Sequence, residues 1–339
     1  MKPCIVYLAQ NTEKDPHYGR DSKSMLQKSL DLLYQNYNEQ FRHDVIIFHE
    51  GDFDDESQEE VRHGREEIRF YEVKFALPDF LNADEVPEKW DGIFGLGYRH
   101  MIRFFSLTIF TLIKELGYDW FMRMDDDSFL HSRINYNLFD FMSKNGYEYG
   151  YRVVCKEPER TAHGFSEMVL AYLKAERLKA PGFLSQFDNS ARLNTESFGF
   201  KGWVKQKLVT QIDRLSTRLN HDLNNWPAPS EWNRQAVYTN FFITRVDFWL
   251  QPKVQSFLNH VDRLGGGYKY RWGDAIVHTA AIQMFLESEQ IHQFDDWTYE
   301  HATIKNGKLD WGGIYPGKSD EQNPAVVAFR KQFGLTQTG

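Results

Sequence analysis

The stretch Trp120–Leu130, WFMRMDDDSFL, runs an apolar segment directly into three carboxylates, Asp125, Asp126 and Asp127. The segment Asp119-Trp-Phe-Met-Arg-Met reads as a buried strand. Three adjacent acids at its end repel one another, and crowding them there costs stability unless a cation neutralises them. Alternate side chains of an extended chain point the same way, so Asp125 and Asp127 can converge while Asp126 faces elsewhere. Hard oxygen ligands of this kind suit Mg²⁺ or Mn²⁺, which take one or two carboxylates together with substrate phosphates. The carboxyl ends of strands are also where open α/β sheets bind ligands. The simpler alternative is an acidic surface turn capping a following helix, and the triplet alone does not separate the two.

Around this stretch, strand and helix patterns alternate. Cys4-Ile-Val-Tyr-Leu-Ala reads as a first buried strand, and Asp21-Ser-Lys-Ser opens an amphipathic helix carrying Met25, Leu26, Leu30, Leu33 and Tyr37. Asp44–His49 and Ile68–Val73 read as further strands, separated by an acidic loop from Gly51 to Glu67 that reads as a solvated insertion. A helix is expected from Gly97 to Glu115, another from Asn137 to Asn145, and a strand from Gly150 to Cys155. Strands alternating with helices imply a mainly parallel, doubly wound α/β sheet with crossover connections. From Glu167 to Asn225 helical patterns and polar loops predominate, so helical elaborations on the acceptor side are expected there. No repeat or low-complexity linker marks a boundary, and residues 1–339 read as a single catalytic domain.

Composition narrows the function classes. A net charge of -8 argues against a nucleic-acid partner, because phosphate backbones demand a basic face. Two cysteines, Cys4 and Cys155, allow one disulfide but no disulfide framework. No segment approaches the ~18 apolar residues of a membrane helix; Phe104–Ile113 comes nearest and is interrupted by Ser106, Thr108 and Thr111. As it stands the chain reads as soluble and cytoplasmic.

The second half holds two further chemical clusters. Tyr270-Arg-Trp-Gly-Asp-Ala-Ile-Val-His places Asp274 just before a helix, where a capping role would suffice, and His278 on its apolar face, where a satisfied core histidine is expected. Ile291–His301, IHQFDDWTYEH, gathers His292, Asp295, Asp296 and His301. A loop histidine can complete an octahedral ion site whose other ligands are carboxylate and phosphate oxygens.

Together these pieces resemble the fungal-type α-1,2-mannosyltransferases, retaining enzymes that use GDP-mannose. The resemblance spans most of the chain: the first strand and helix, Tyr98-Arg-His-Met-Ile-Arg, the acidic strand end with Asn135–Met142, Tyr149-Gly-Tyr, Thr239-Asn-Phe-Phe-Ile, Gly265–His278 and Ile291–His301. It implies a GT-A nucleotide-sugar transferase fold, a nucleotide-sugar donor, a glycan acceptor and Mn²⁺ or Mg²⁺. Carried over by position, it implies a metal held by Asp125, Asp127 and His301. Arg103, Asp125 and Asp126 would meet the bound nucleotide, Arg103 as a clamp on phosphate oxygens. Tyr98 and Asp274 would stand at the reacting sugar. Alternatives left open are a GT-A transferase with another nucleotide sugar, and an inactive sugar- or nucleotide-binding homologue.

Three departures from the family pattern stand out. Its N-terminal membrane anchor is missing, and its cysteine-rich tail is replaced by Lys308-Leu-Asp-Trp-Gly-Gly-Ile-Tyr-Pro. The glutamate proposed as the family's nucleophile falls on Phe242, with Asp247 five residues on and Asp274 as the acids that could replace it.

Overall fold

A strand such as Cys4-Ile-Val-Tyr, apolar at every position, is satisfied only in a sheet covered by helices on both faces. The structure, a computed structural model, describes residues 1–12, 21–90, 95–187, 227–305 and 307–335. In it the chain forms β1 (Pro3–Leu8), β2 (Asp44–His49), β3 (Ile68–Glu72), β4 (Trp120–Met124), β5 (Ser128–Leu130), β6 (Tyr149–Tyr151) and β7 (Val154–Lys156). It continues with β8 (Gln235–Val237), β9 (Phe241–Arg245), β10 (Ile291–Gln293), β11 (Tyr299–Lys305) and β12 (Lys308–Tyr315).

The central sheet has seven strands in the order β10-β6-β9-β4-β1-β2-β3. It is mainly parallel, as the alternation predicts: β1 pairs in parallel with β2 and β4, β2 with β3, and β6 with β10. Strand β9 runs antiparallel to both β4 and β6. On one face, Cys4, Val6, Phe121 and Phe242 pack with the helices Ile109–Glu115, Phe165–Ala175, Pro252–Arg263 and Asp274–Phe285. On the other, Ile5, Tyr7, Met122 and Phe241 pack with Ser22–Leu33 and Leu138–Lys144. The sheet is therefore doubly wound. Capping matches the sequence signals: Asp21 accepts from the Ser24 amide, and Asn137 from those of Phe139 and Asp140.

Four local expectations change. The acidic insertion is not all loop, because Asp54 caps a helix, Asp55–Arg62, that buries Val61 and leaves its charges in water. The helix expected from Gly97 is Leu96–Arg103 continued through a π-helical turn, Phe104–Thr108, into Ile109–Glu115. The strand expected at Gly150–Cys155 is split between β6 in the central sheet and β7, which pairs with β8. Arg152 turns the chain between them, its guanidinium donating to the carbonyls of Trp297, Tyr315 and Pro316. His301 lies on a strand rather than a loop: β11 and β12 form a hairpin that joins β5 in a three-stranded antiparallel sheet. Of Glu167–Asn225, the part up to residue 187 carries the helices Phe165–Ala175 and Pro181–Leu184, and residues 188–225 lie outside the described residues. Among the described residues no helix is long and apolar enough to cross a membrane. Both cysteines are free thiols.

His278 is the satisfied core histidine the sequence suggests. Its Nε2 lies 3.0 Å from the Phe105 carbonyl and its Nδ1 3.1 Å from the Tyr149 hydroxyl. A carbonyl only accepts, so Nε2 carries the proton and Nδ1 accepts from Tyr149. Packed against Trp249 and Phe242, the ring is fully buried, and burial lowers its pKa to about 4. The unfolded chain takes up a proton below pH ~6.5 that the folded state refuses until about pH 4. Stability from this group is therefore complete above that range and declines as pH falls through it. We expect His278→Gln, which keeps a donor and an acceptor, to flatten the stability profile between pH 6 and 4.5 by up to ~1.4 kcal/mol per pH unit. Urea unfolding across that range measures the slope, and equal slopes in the two proteins would contradict the assignment.

Candidate active site

The three carboxylates turn the chain between β4 and β5. The Asp125 amide donates to the Asn240 carbonyl at the start of β9, and the Ser128 amide closes the turn on the Asp125 carbonyl. Because β11 pairs with β5 in the register His301↔Ser128, it delivers His301 beside Asp127. Asp125, Asp127 and His301 each offer a ligand atom, and these atoms all lie within 4.8 Å of one another. Asp126 is not among the residues lining the adjoining cavity. Its charge acts instead on Tyr7 below the turn, whose phenol burial raises and Asp126 raises further.

The chemistry of this cluster fits a hard divalent cation. His301 Nδ1 lies 3.2 Å from Asp127 Oδ1, yet out of line for a hydrogen bond, so this buried nitrogen has no hydrogen-bond partner. A buried imidazole nitrogen left in that state costs about 1–3 kcal/mol, which a ligand bond would recover. The hairpin holds the ring in place at close quarters. Gly312 sits opposite Ala302 with φ +72°, and a Cβ there would stand 2.1 Å from the His301 carbonyl oxygen.

Arg123 organises the other side. Its Nε donates to Asp125 at 2.8 Å, its Nη1 to Asp274 at 2.5 Å, and its guanidinium lies 3.5 Å from the centre of the Phe105 ring. Burial raises the Asp125 carboxyl above the usual range despite Arg123 and His301. Burial would also raise Asp274, but Arg123, His278 and Thr239 outweigh it and hold that carboxyl below the usual range. Asp274 is thus not the helix cap expected from sequence: Gly273 is the N-cap, and Asp274, in the first turn, sends its carboxylate to Arg123.

These groups floor a cavity of about 400 Å³. Tyr98 lines it, and its hydroxyl accepts from Arg271, which also pairs with Glu157 at 2.8 Å. Burial and the charges of Asp274 and Glu157 push the Tyr98 phenol up to about 12 despite Arg271, so it stays protonated. Arg103 lies elsewhere: both arms of its guanidinium are committed to Asp262, at 2.8 and 3.0 Å, and it does not line the cavity. The arginines that do are Arg123, Arg160 and Arg271. Phe242 is fully buried, stacked on Tyr149 and against Phe121 and His278. Asp247 pairs with Lys114 at 2.8 Å and is not a lining residue.

Sequence reasoning missed Arg123 and Asn240. An arginine inside an apolar strand, two residues before an acid, is a usable signal, since such a charge is buried only when paired. Asn240 carried none. Its side chain is 2% exposed beside the cavity, and neither amide atom has a hydrogen-bond partner.

Residues 1–310 match the family described as glycolipid 2-alpha-mannosyltransferase. The chain is 24% identical over 322 residues to an O-glycoside alpha-1,2-mannosyltransferase homolog 5 of Schizosaccharomyces pombe, covering 92% of this chain and 72% of that protein. It is similar in fold to the mannosyltransferase Ktr4p from S. cerevisiae, with a TM-score of 0.70 at 19% identity, over 99% of this chain and 82% of that one. Core-mannan synthase A from Aspergillus fumigatus, solved in a Mn/GDP form, superposes with a TM-score of 0.68 at 20% identity, over 89% of this chain and 74% of that one.

We expect His301→Ala to weaken Mn²⁺ binding ~10-fold or more while leaving the melting temperature nearly unchanged, as read by electron paramagnetic resonance of free Mn²⁺ and by calorimetry. Unchanged Mn²⁺ affinity with a lower melting temperature would make the residue structural. Gly312→Ala, which must displace the strand behind His301, is expected to lose Mn²⁺ affinity and about 1–3 kcal/mol of stability together.

Proposed function

The chain belongs to the glycolipid 2-alpha-mannosyltransferase family, and on that premise we propose that it acts as one catalytic domain moving mannose from GDP-mannose to a glycan hydroxyl, with an α-linkage of the 1,2 type. The observation that carries this reading is the convergence of Asp125, Asp127 and His301 with the Arg123–Asp274 pair on one cavity floor. A cavity of about 400 Å³ is of the size that takes a small organic ligand.

Asp125, Asp127 and His301 would hold Mn²⁺ or Mg²⁺. Bound there, the cation supplies positive charge for the pyrophosphate of the departing nucleotide. Asp274, kept ionised by Arg123, faces the transferred sugar and offers negative charge to the oxocarbenium-like anomeric carbon. The Asn240 carboxamide beside it provides one donor and one acceptor for sugar hydroxyls. Tyr98, protonated at neutral pH, serves as a hydrogen-bond donor at the same sugar.

Retention is what the family resemblance implies, and the route to it follows from what the strand lacks. A double displacement needs a carboxylate behind the anomeric carbon, and Phe242 and Asp247 do not supply it. Asp274 has one oxygen tied to Arg123 at 2.5 Å, which lowers its nucleophilicity. Transfer therefore proceeds on the front face. The bond from the anomeric carbon to the pyrophosphate oxygen breaks, the acceptor oxygen bonds to the same face, and its proton passes to the leaving pyrophosphate. Retention results.

Metal-dependent release of GDP from GDP-mannose, measured beside a panel of UDP-sugars, tests the donor. NMR of the product's anomeric carbon tests the stereochemistry: an α-mannoside is expected, and a β-mannoside would make the enzyme inverting. A mannosylated Asp274 peptide trapped by mass spectrometry would replace the front-face route with a covalent one.

A further inference from the structure

The segment Lys308-Leu-Asp-Trp-Gly-Gly-Ile-Tyr has no part in the site described so far beyond seating His301. It forms β12, and two of its residues, Asp310 and Trp311, line the same cavity as the ion cluster. Trp311 is 43% exposed, in a chain that buries Trp249, Trp297, Trp120, Trp232 and Trp272 to 8% or less. Its indole is left open beside the cavity rather than packed into the core.

Register gives its position. Trp311 pairs with Thr303, and His301 pairs with Gly313 one step of the pleat away. His301 and Thr303, two residues apart on β11, lie about 7 Å apart along the strand on one face of the hairpin. Thr303 and Trp311 both line the cavity, as does His301. The indole's strand position is thus offset from that of His301 by about 7 Å along the hairpin, roughly the width of a pyranose ring. An indole face takes the C–H face of a pyranose, while its neighbours supply the polar half of the recognition. Asp310, with Arg160 and Thr161 across the cavity, provides an acceptor and donors for sugar hydroxyls.

We propose that Trp311 and Asp310 form the acceptor subsite, in which a neutral pyranose stacks on the indole with a hydroxyl directed inward, toward the donor sugar between Trp311 and the ion. This rests on the function proposed above and adds to it the residues of this chain that receive the acceptor.

The test uses the full chain with Mn²⁺ and GDP, and methyl α-mannopyranoside and α-mannobiose as probes. Saturation-transfer NMR should show both probes bound to the wild type. Trp311→Ala should lose probe affinity at least tenfold and Trp311→Phe should restore most of it, while GDP affinity in the presence of Mn²⁺ stays within twofold. In turnover, Trp311→Ala should raise KM for the acceptor with kcat little changed. Undiminished probe affinity in Trp311→Ala, or no probe binding by a wild type that does bind GDP, overturns the subsite. A fall in GDP affinity parallel to the loss of the probe would make Trp311 structural and overturn it too. A wild type that fails to bind GDP with Mn²⁺ overturns instead the donor assignment on which it rests.

Discussion

Arg123 is the constraint on which the site depends. A guanidinium 3% exposed inside a sheet is tolerable only if its charge is matched. Asp125 from the strand end and Asp274 from a helix start match it. The pairing pulls the first turn of the helix Asp274–Phe285 onto the carboxyl end of β4, and so joins the two halves of the chain at the cavity floor. Removing one partner of such a buried pair typically costs about 3–5 kcal/mol. Two acids share the one cation here, so the cluster keeps a net negative charge even before Asp127 is counted. A divalent ion is the natural complement of that excess, and the unbonded His301 nitrogen points the same way.

Much of this was legible in the sequence, for identifiable reasons. Strands buried on both faces are apolar at every position, so β1, β2 and β4 could be read almost residue by residue. The capping residues Asp21 and Asn137 marked their helices because their side chains must reach the free amides. The hairpin was not legible. The sequence reading places no strand at Lys308–Tyr315, whereas Gly312 and Gly313 sit inside β12, where Gly312 lets the chain pass the His301 carbonyl. His301 therefore looked like a loop ligand when it is a strand residue in fixed register. Arg103 was read from its charge alone, and the partner it pairs with, Asp262, is 159 residues away in the chain.

Phe242 shows how a strand position can leave chemistry for packing. On β9 it pairs with Arg123 of β4, directly beneath the cavity. A carboxylate there would join Asp125 and Asp274 around the one guanidinium. The phenyl ring instead closes an aromatic cluster with Tyr149, Phe121 and Trp249 around His278. The same cluster keeps His278 neutral, since an apolar shell penalises the imidazolium. One residue type thus decides both the acid inventory of the floor and the titration of the core below it.

The hairpin β11–β12 carries His301 on one strand and Trp311 on the other, joined by the pairs from Tyr299↔Tyr315 to Lys305↔Lys308. The ladder carries a register shift between Thr303 and Ile304, and β5 pairs with β11 at its Tyr299–His301 end. His301 and the residue opposite Trp311, Thr303, stand two positions apart on the same strand. Should binding at one end alter affinity at the other, it would do so by the same factor in either direction.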